Sequence, residues 1–160
     1  MILDPNDIQS TVFEPVLQNR FIFYADGIPS YLVKSIDGIG YESSEFKIDY
    51  INSYFKGLAK VTYNDINISL YNPISPSGAQ ILEQKSRLAY ERLTGRHGYM
   101  DMYQFDATVN ILGPAGDIVG EWIFKRASIK SAKYGSYDYA SENYVTMDIV
   151  LQVNGIDLDF

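Results

Sequence analysis

The chain predicts an α+β fold that is mainly β: an antiparallel β-barrel or sandwich with one flanking α-helix. Two patterns carry this reading. Several short stretches alternate apolar and polar residues, the period of a half-buried strand. A single stretch, "NPISPSGAQILEQKSRLAYERLTGRHG", instead repeats its apolar residues at the helical period. Turn signals separate the pieces. The 160 residues suffice for a domain with a real core, and 46% of them are apolar, which excludes a disordered chain. The expected organisation is a single domain over 1–160. Its first 18 residues, broken by Pro5 and Pro15, form an arm.

"NRFIFYAD" (19–26) is apolar on both faces, as in a fully covered strand. Asp26-Gly27-Ile28-Pro29 signals a turn, and "YLVKSI" (31–36) is the second strand. Asp37-Gly38-Ile39-Gly40 breaks the chain again. From 42 to 50, Phe46, Ile48 and Tyr50 share one face, while Glu45, Lys47 and Asp49 share the other. In "DYINSYFKGLAK", Asn52-Ser53 and Lys56-Gly57 are turn signals, so a loop or hairpin tip is expected. A strand near 61–71 sets Ile66, Ile68 and Leu70 against Asp65, Asn67 and Ser69, with a parity change after Tyr63 that suggests a bulge.

The helix follows, capped by Ser75 or Ser77, with Pro76 suited to the first turn if Ser75 is the cap. Its stripe is Ile81, Leu82, Leu88, Ala89 and Leu93, and Thr94-Gly95 ends it. Strands at about 103–112 and 117–125 form a hairpin through "GPAG", and another strand covers about 127–134. "SYDYASEN" is a polar loop. The last strand points Val145, Met147, Ile149, Leu151 and Val153 inward and Thr146, Asp148 and Gln152 outward. The total is seven or eight strands and one helix.

Catalytic chemistry finds little support in these residues. The one histidine, His97, lies in a loop with no partner for a metal site. No nucleophile elbow or phosphate loop occurs, and Gly38-Ile39-Gly40 fails the dinucleotide pattern because Ser43 replaces the third glycine. Cysteine is absent, which excludes disulfides and thiolate metal sites. No cofactor, metal or enzymatic activity is expected. The net charge of −7 lacks the basic footprint of a nucleic-acid binder. No apolar run reaches the roughly 18 residues of a membrane span, and "MILDPNDIQS" does not read as a signal peptide. The 14 tyrosines suit half-buried strands and protein interfaces alike.

The order of features is informative. "NRFIFYADGIPSYLVKSIDGIGYESSEF" is a paired strand unit, "KVTYNDINISLYNP" a strand leading into one helix, "FDATVNILGPAGDIVGEWIFKRASI" a hairpin, and "NYVTMDIVLQVNGIDL" a terminal strand. Over about 19–156 this order resembles the tail tube protein of contractile-tailed bacteriophages. Members of that family often carry a proline after the hairpin strand; "RASIKSAKYG" has none, so the junction is expected to run straighter.

The resemblance implies a structural virion protein. Hexameric rings stack into an inner tail tube through which phage DNA passes to the host. Implied partners are further copies of the chain, the tail sheath protein, and baseplate and tail terminator proteins. DNA passes transiently and no membrane is bound. The implied location is the virion tail, after assembly in the host cytoplasm. The same fold serves tubes of bacteriocin-like particles and type VI secretion, which is the alternative function; a small-ligand-binding β-barrel is the alternative from another class. Two residue sets follow as expectations. Tyr50, Ile51, Tyr54, Phe55, Lys56 and Leu58 form an inter-subunit or inter-ring contact. Asp65, Asn67, Ser69, Thr146, Asp148 and Gln152 face the lumen.

Overall fold

A computed structural model describes residues 14–75 and 77–159. Most of the expected arm and Pro76 lie outside these residues. The described strands are β1 (Phe21–Ala25), β2 (Val33–Asp37), β3 (Tyr41–Asp49), β4 (Tyr54–Tyr63), β5 (Ile66–Tyr71), β6 (Phe105–Leu112), β7 (Ile118–Lys133), β8 (Thr146–Gln152) and β9 (Gly155–Asp159). The helices are α1 (Gly78–Arg87) and the single turn α2 (Met100–Tyr103), with a 3-10 turn at Ser30–Leu32.

The strand order β1-β6-β7-β8-β5-β2, with β9 also on β7, folds into two layers because β7 serves both. Its first half pairs with β6 and β9, and Ser128–Lys133 pairs with β8. The bend lies at Arg126, whose positive φ of 50° accompanies a bulge opposite Asp106. The Asp106 carboxylate accepts the Arg126 N–H at 3.0 Å, so the bulge satisfies the donor that leaves the ladder. The expected strands at 117–125 and 127–134 are therefore one strand. No proline interrupts it, and the bulge re-aims it instead.

The layers do not close. β1 and β2 end the path without pairing to each other, so the molecule is a sandwich rather than a barrel. Ile28 and Leu32, in the β1–β2 connection, are buried in the core. Alternation sends Phe23, Ile66, Ile68, Leu70, Ala107, Val109, Phe124, Met147, Ile149 and Leu151 into the core, as the strand periods require. β1 is not covered on both sides, since Tyr24 is exposed.

Three boundaries differ from expectation. The stretch 61–71 divides at Asn64-Asp65 into β4 and β5, which belong to different sheets, so the parity change marks a strand change. The final stretch divides into β8 and β9, because Asn154 bonds back to Lys125 and Arg126 carbonyls and turns the chain. The helix stops at Arg87, well before Thr94-Gly95. Beyond it, the Glu91 N–H donates to the Arg96 carbonyl and the Gly98 N–H to the Ala89 carbonyl, closing a small hairpin that brings Tyr90 to His97. Leu82 is fully buried, whereas Leu88 is half exposed and Leu93 is 95% exposed at the turn. Ser77 holds the N-cap position without a capping side-chain bond.

Candidate assembly surface

β3 and β4 form their own two-stranded sheet, separate from the sandwich. From Tyr41 to Thr62 every residue except Ser43 and Gly57 is exposed. The turn is Tyr50–Ser53, closed by the Tyr50 N–H on the Ser53 carbonyl at 2.8 Å. Ile51 stands fully in solvent there. Lys56-Gly57, expected as a turn, lies inside β4 opposite Lys47 and Phe46. Gly57 is used for space: the Phe46 ring lies where a side chain would stand.

The cross-strand register sorts the hairpin into two unlike faces. On one, Glu45 faces Leu58, Lys47 faces Lys56 and Asp49 faces Tyr54. Lys47 pairs with Asp49 at 3.3 Å, Lys56 with Glu45 at 3.8 Å, and both ammonium groups lie over the Tyr54 ring, at 4.6 and 5.3 Å. On the other face, Phe46, Ile48 and Phe55 form a patch with the two phenyl rings edge-on at 6.3 Å. These three side chains are 43%, 45% and 54% exposed. The expected contact residues thus divide. Phe55 belongs to the apolar face, Tyr54, Lys56 and Leu58 to the polar one, and Tyr50 and Ile51 to the tip.

A two-stranded hairpin without a hydrophobic partner is marginal in water. Fully burying a large apolar side chain stabilises by about 1.5–3 kcal/mol. The apolar face holds that free energy in reserve.

The expected lumen residues share an outward face of the β2-β5-β8-β7 layer. Asn67 lies opposite Val150, Ser69 opposite Asp148, Thr146 opposite Tyr71 and Gln152 opposite Ser128. The Ser69 hydroxyl donates to the Asp148 carboxylate at 2.6 Å, and Lys130 pairs with Asp65 at 2.8 Å. The Thr146 end carries an aromatic pair, Tyr71 against Tyr144.

Elsewhere, the Lys85 ammonium donates to the Asp26 carbonyl and lies 4.0 Å from the Phe105 ring centre, tying α1 to the β1–β2 turn. Burial lowers the Lys85 pKa, with the Asp26 charge opposing. The Tyr134 hydroxyl donates to Glu83 at 2.6 Å. Burial first, then that bond and the Glu83 charge, push its pKa up to about 12. His97 packs on Tyr90 in the post-helix turn. Among the described residues no three His, Asp or Glu side chains cluster as a metal site, and no helix is long and apolar enough to cross a membrane.

One feature has no sequence signal. It is a cleft of about 510 Å³ at the open end of the sandwich, lined by Leu17, Phe21, Ile36, Ile39, Ile111 and Trp122 among others. Tyr137 and Tyr139 are exposed in the β7–β8 loop, within the polar loop expected from "SYDYASEN".

This topology has counterparts of known structure. One chain from the tube-terminating cap of the anti-feeding prophage superposes with a TM-score of 0.76 over 93% of each chain, at 16% identity. The fold is that of a contractile tail tube protein. A chain of the sheath–tube complex of an extracellular contractile injection system, PVC, matches with a TM-score of 0.71 over 99% of each chain, at 18% identity. A chain of the anti-feeding prophage baseplate matches at 0.70, with 14% identity over 92% of this chain and 97% of that one. No family model and no curated protein matches the sequence.

Proposed function

We propose that this chain is the repeating subunit of the inner tube of a contractile particle. Copies join into hexameric rings, and the rings stack. The observation that carries the reading is the β3–β4 hairpin: an ordered sheet outside the core, apolar on one face and uncovered along its length. Ring formation supplies the cover and pairs free strand edges, which otherwise invite uncontrolled association. Tyr50, Ile51, Tyr54, Phe55, Lys56 and Leu58 make the contact to the neighbouring copy, with Lys56 at its polar rim. Sheath, baseplate and terminator proteins are the further partners; the sheath–tube, baseplate and cap assemblies that contain similar chains support this.

The outward face bearing Asp65, Asn67, Ser69, Thr146, Asp148 and Gln152 lines the lumen in this proposal. Its charges are answered within the face, by Lys130 on Asp65 and by Ser69 on Asp148. Such a wall offers phosphates little to hold, and DNA slides along it. That suits a phage tail, assembled in the host cytoplasm and carried on the virion. The second reading is the tube of an injection device with another cargo, and the likeness to chains of an extracellular contractile injection system favours it. The ligand-binding alternative loses its barrel interior, because the layers do not close.

Sedimentation and electron microscopy of the purified protein test the reading: rings at moderate concentration, tubes at high concentration. A monomer at every concentration overturns it. In the variant Tyr54→Asp with Phe55→Asp, circular dichroism keeps the β signature and tubes disappear. Two carboxylates are costly to bury unpaired, and neither position supports the monomer core. Normal tubes from that variant remove the hairpin from the interface.

A further inference from the structure

We propose that residues 1–13 of the chain itself close the open end of the sandwich, with Val12 or Phe13 entering the cleft beside Trp122. This goes beyond the tube reading and does not depend on it. The cleft lies between β1 and β2, the two ends of the strand path, and Phe21, Ile36, Ile39, Ile111 and Trp122 give it an apolar wall. Its volume of about 510 Å³ is of the size that encloses a small ligand or a few side chains. Covering such a wall removes apolar area from water, which is favourable.

Three observations select the occupant. The first is where the chain leads. Residues 1–13 lie outside the described residues, and Val16, Leu17 and Gln18, just after them, already line the cleft. A turn closed by the Arg20 N–H on the Leu17 carbonyl at 3.2 Å precedes β1 and sends the chain before it back toward the body. Phe13 is four residues from Leu17, at most about 14 Å of extended chain, so it reaches its own cleft. So short a tether gives the segment a high effective concentration there, ahead of any other copy. The second observation is backbone pairing. A chain entering an apolar cleft needs partners for its N–H and C=O groups. Among the described strands β1 pairs with β6 alone and β2 with β5 alone, so each keeps a ladder edge toward the gap. "IQSTVF" (8–13) is rich in the β-branched and aromatic residues that suit an added strand. The third is charge. Arg20 and Lys34 stand at the cleft with one carboxylate, Asp37, which already accepts the Gly38 N–H at 2.7 Å. Arg20 has no ion-pair partner among the described residues. Residues 1–13 carry Asp4 and Asp7 and no Lys or Arg.

The chain has no cysteine and one tryptophan, Trp122 in the cleft wall, so both readouts are clean. The full-length variant Phe13→Cys with Ser35→Cys, oxidised at high dilution, is expected to form a disulfide within one chain, read as faster migration on a non-reducing gel. Ser35 lines the cleft and is exposed, so its change leaves the core intact. Phe13→Cys with Ser136→Cys, in the β7–β8 loop outside the cleft lining, is expected to stay reduced. In the full-length variant Val12→Asp with Phe13→Asp, the β circular dichroism is expected to persist, Trp122 emission to move to longer wavelength and its quenching by acrylamide to rise. Adjacent residues of an extended chain point to opposite sides, so changing both covers whichever one enters the cleft. No disulfide between positions 13 and 35, an equal yield at position 136, or Trp122 quenching unchanged in the folded aspartate variant overturns the inference. Disulfide-linked dimers place the segment in another copy and overturn it as well. If the aspartate variant loses its β signature, the disulfide pair alone decides. The tube reading stands under every one of these results, because ring formation is measured separately on the parent chain.

Discussion

The sandwich and the hairpin are built from the same alternating sequence and meet opposite fates. In β8, Met147, Ile149 and Leu151 are buried to within 1%. In β3, Phe46 and Ile48 alternate just as regularly and stay nearly half exposed. Alternation reports that one face of a strand is meant to be covered, and it does not name the cover. In β8 the cover is the opposing layer of the same chain. In β3 the chain supplies none, so the pattern points to a partner.

Core truncation breaks this comparison most strongly. Phe124→Ala, at a fully buried site, is expected to destabilise the monomer by about 3–5 kcal/mol in denaturant unfolding. Phe55→Ala, the same change on the hairpin, is expected to move monomer stability by no more than about 0.5 kcal/mol. Its effect belongs to assembly, as a rise in the concentration at which rings sediment. Equal losses at both sites in the monomer would show that the hairpin is covered by its own body.

The same contrast explains what the sequence revealed. Strand positions and inward sets of β5, β6 and β8 were legible because period 2 and burial coincide there. The two faces of β3 were legible too. The helical period runs on through Leu88, Ala89 and Leu93, beyond the helix that ends at Arg87. The backbone bonds of Glu91 and Gly98 that end it have no side-chain signature. The unity of β7 was hidden because Lys125-Arg126 interrupts the apolar pattern, and a bulge reads as a turn. The outward polar positions of β5 and β8 are legible from alternation, whereas the cleft at Trp122 depends on where two layers fail to meet. No local pattern records that.

Gly38 sharpens the comparison at the point where the two regions join. Its φ is +90°, and a Cβ there would meet the Asp65 carbonyl oxygen at 2.6 Å. Its own N–H donates to the Asp37 carboxylate at 2.7 Å, which fixes the turn out of β2. Both strain and clash act against a side chain, and the clash is with backbone that cannot rotate away. Gly38→Ala is expected to cost about 1–3 kcal/mol of monomer stability. It is also expected to weaken assembly, since it re-aims the hairpin. A variant that keeps normal stability but loses rings would place the glycine's role in aim alone.

The smallest expected effect separates the regions by pH. The hydrogen bond between Tyr134 and Glu83 ties β7's end to α1, within the body. Its hydroxyl is held protonated by burial and by Glu83, with the folded pKa raised to about 12 from its ordinary 10.0. A raised pKa means the folded state keeps the proton longer than the unfolded chain. The stabilisation is therefore fully present below about pH 10 and is lost as pH rises through about 12. Tyr134 is partly open to solvent, so the loss is modest. Unfolding midpoints of the parent chain are expected to fall between pH 10 and 12 more than those of Tyr134→Phe, which removes the titrating group. Below pH 9 the variant is expected to be slightly less stable, through the lost bond to Glu83. Hairpin variants such as Phe55→Ala are expected to track the parent chain across the same range, because no group on β3 or β4 takes part in this linkage. Convergence of Tyr134→Phe with the parent at every pH would remove Tyr134 from the body's stability altogether.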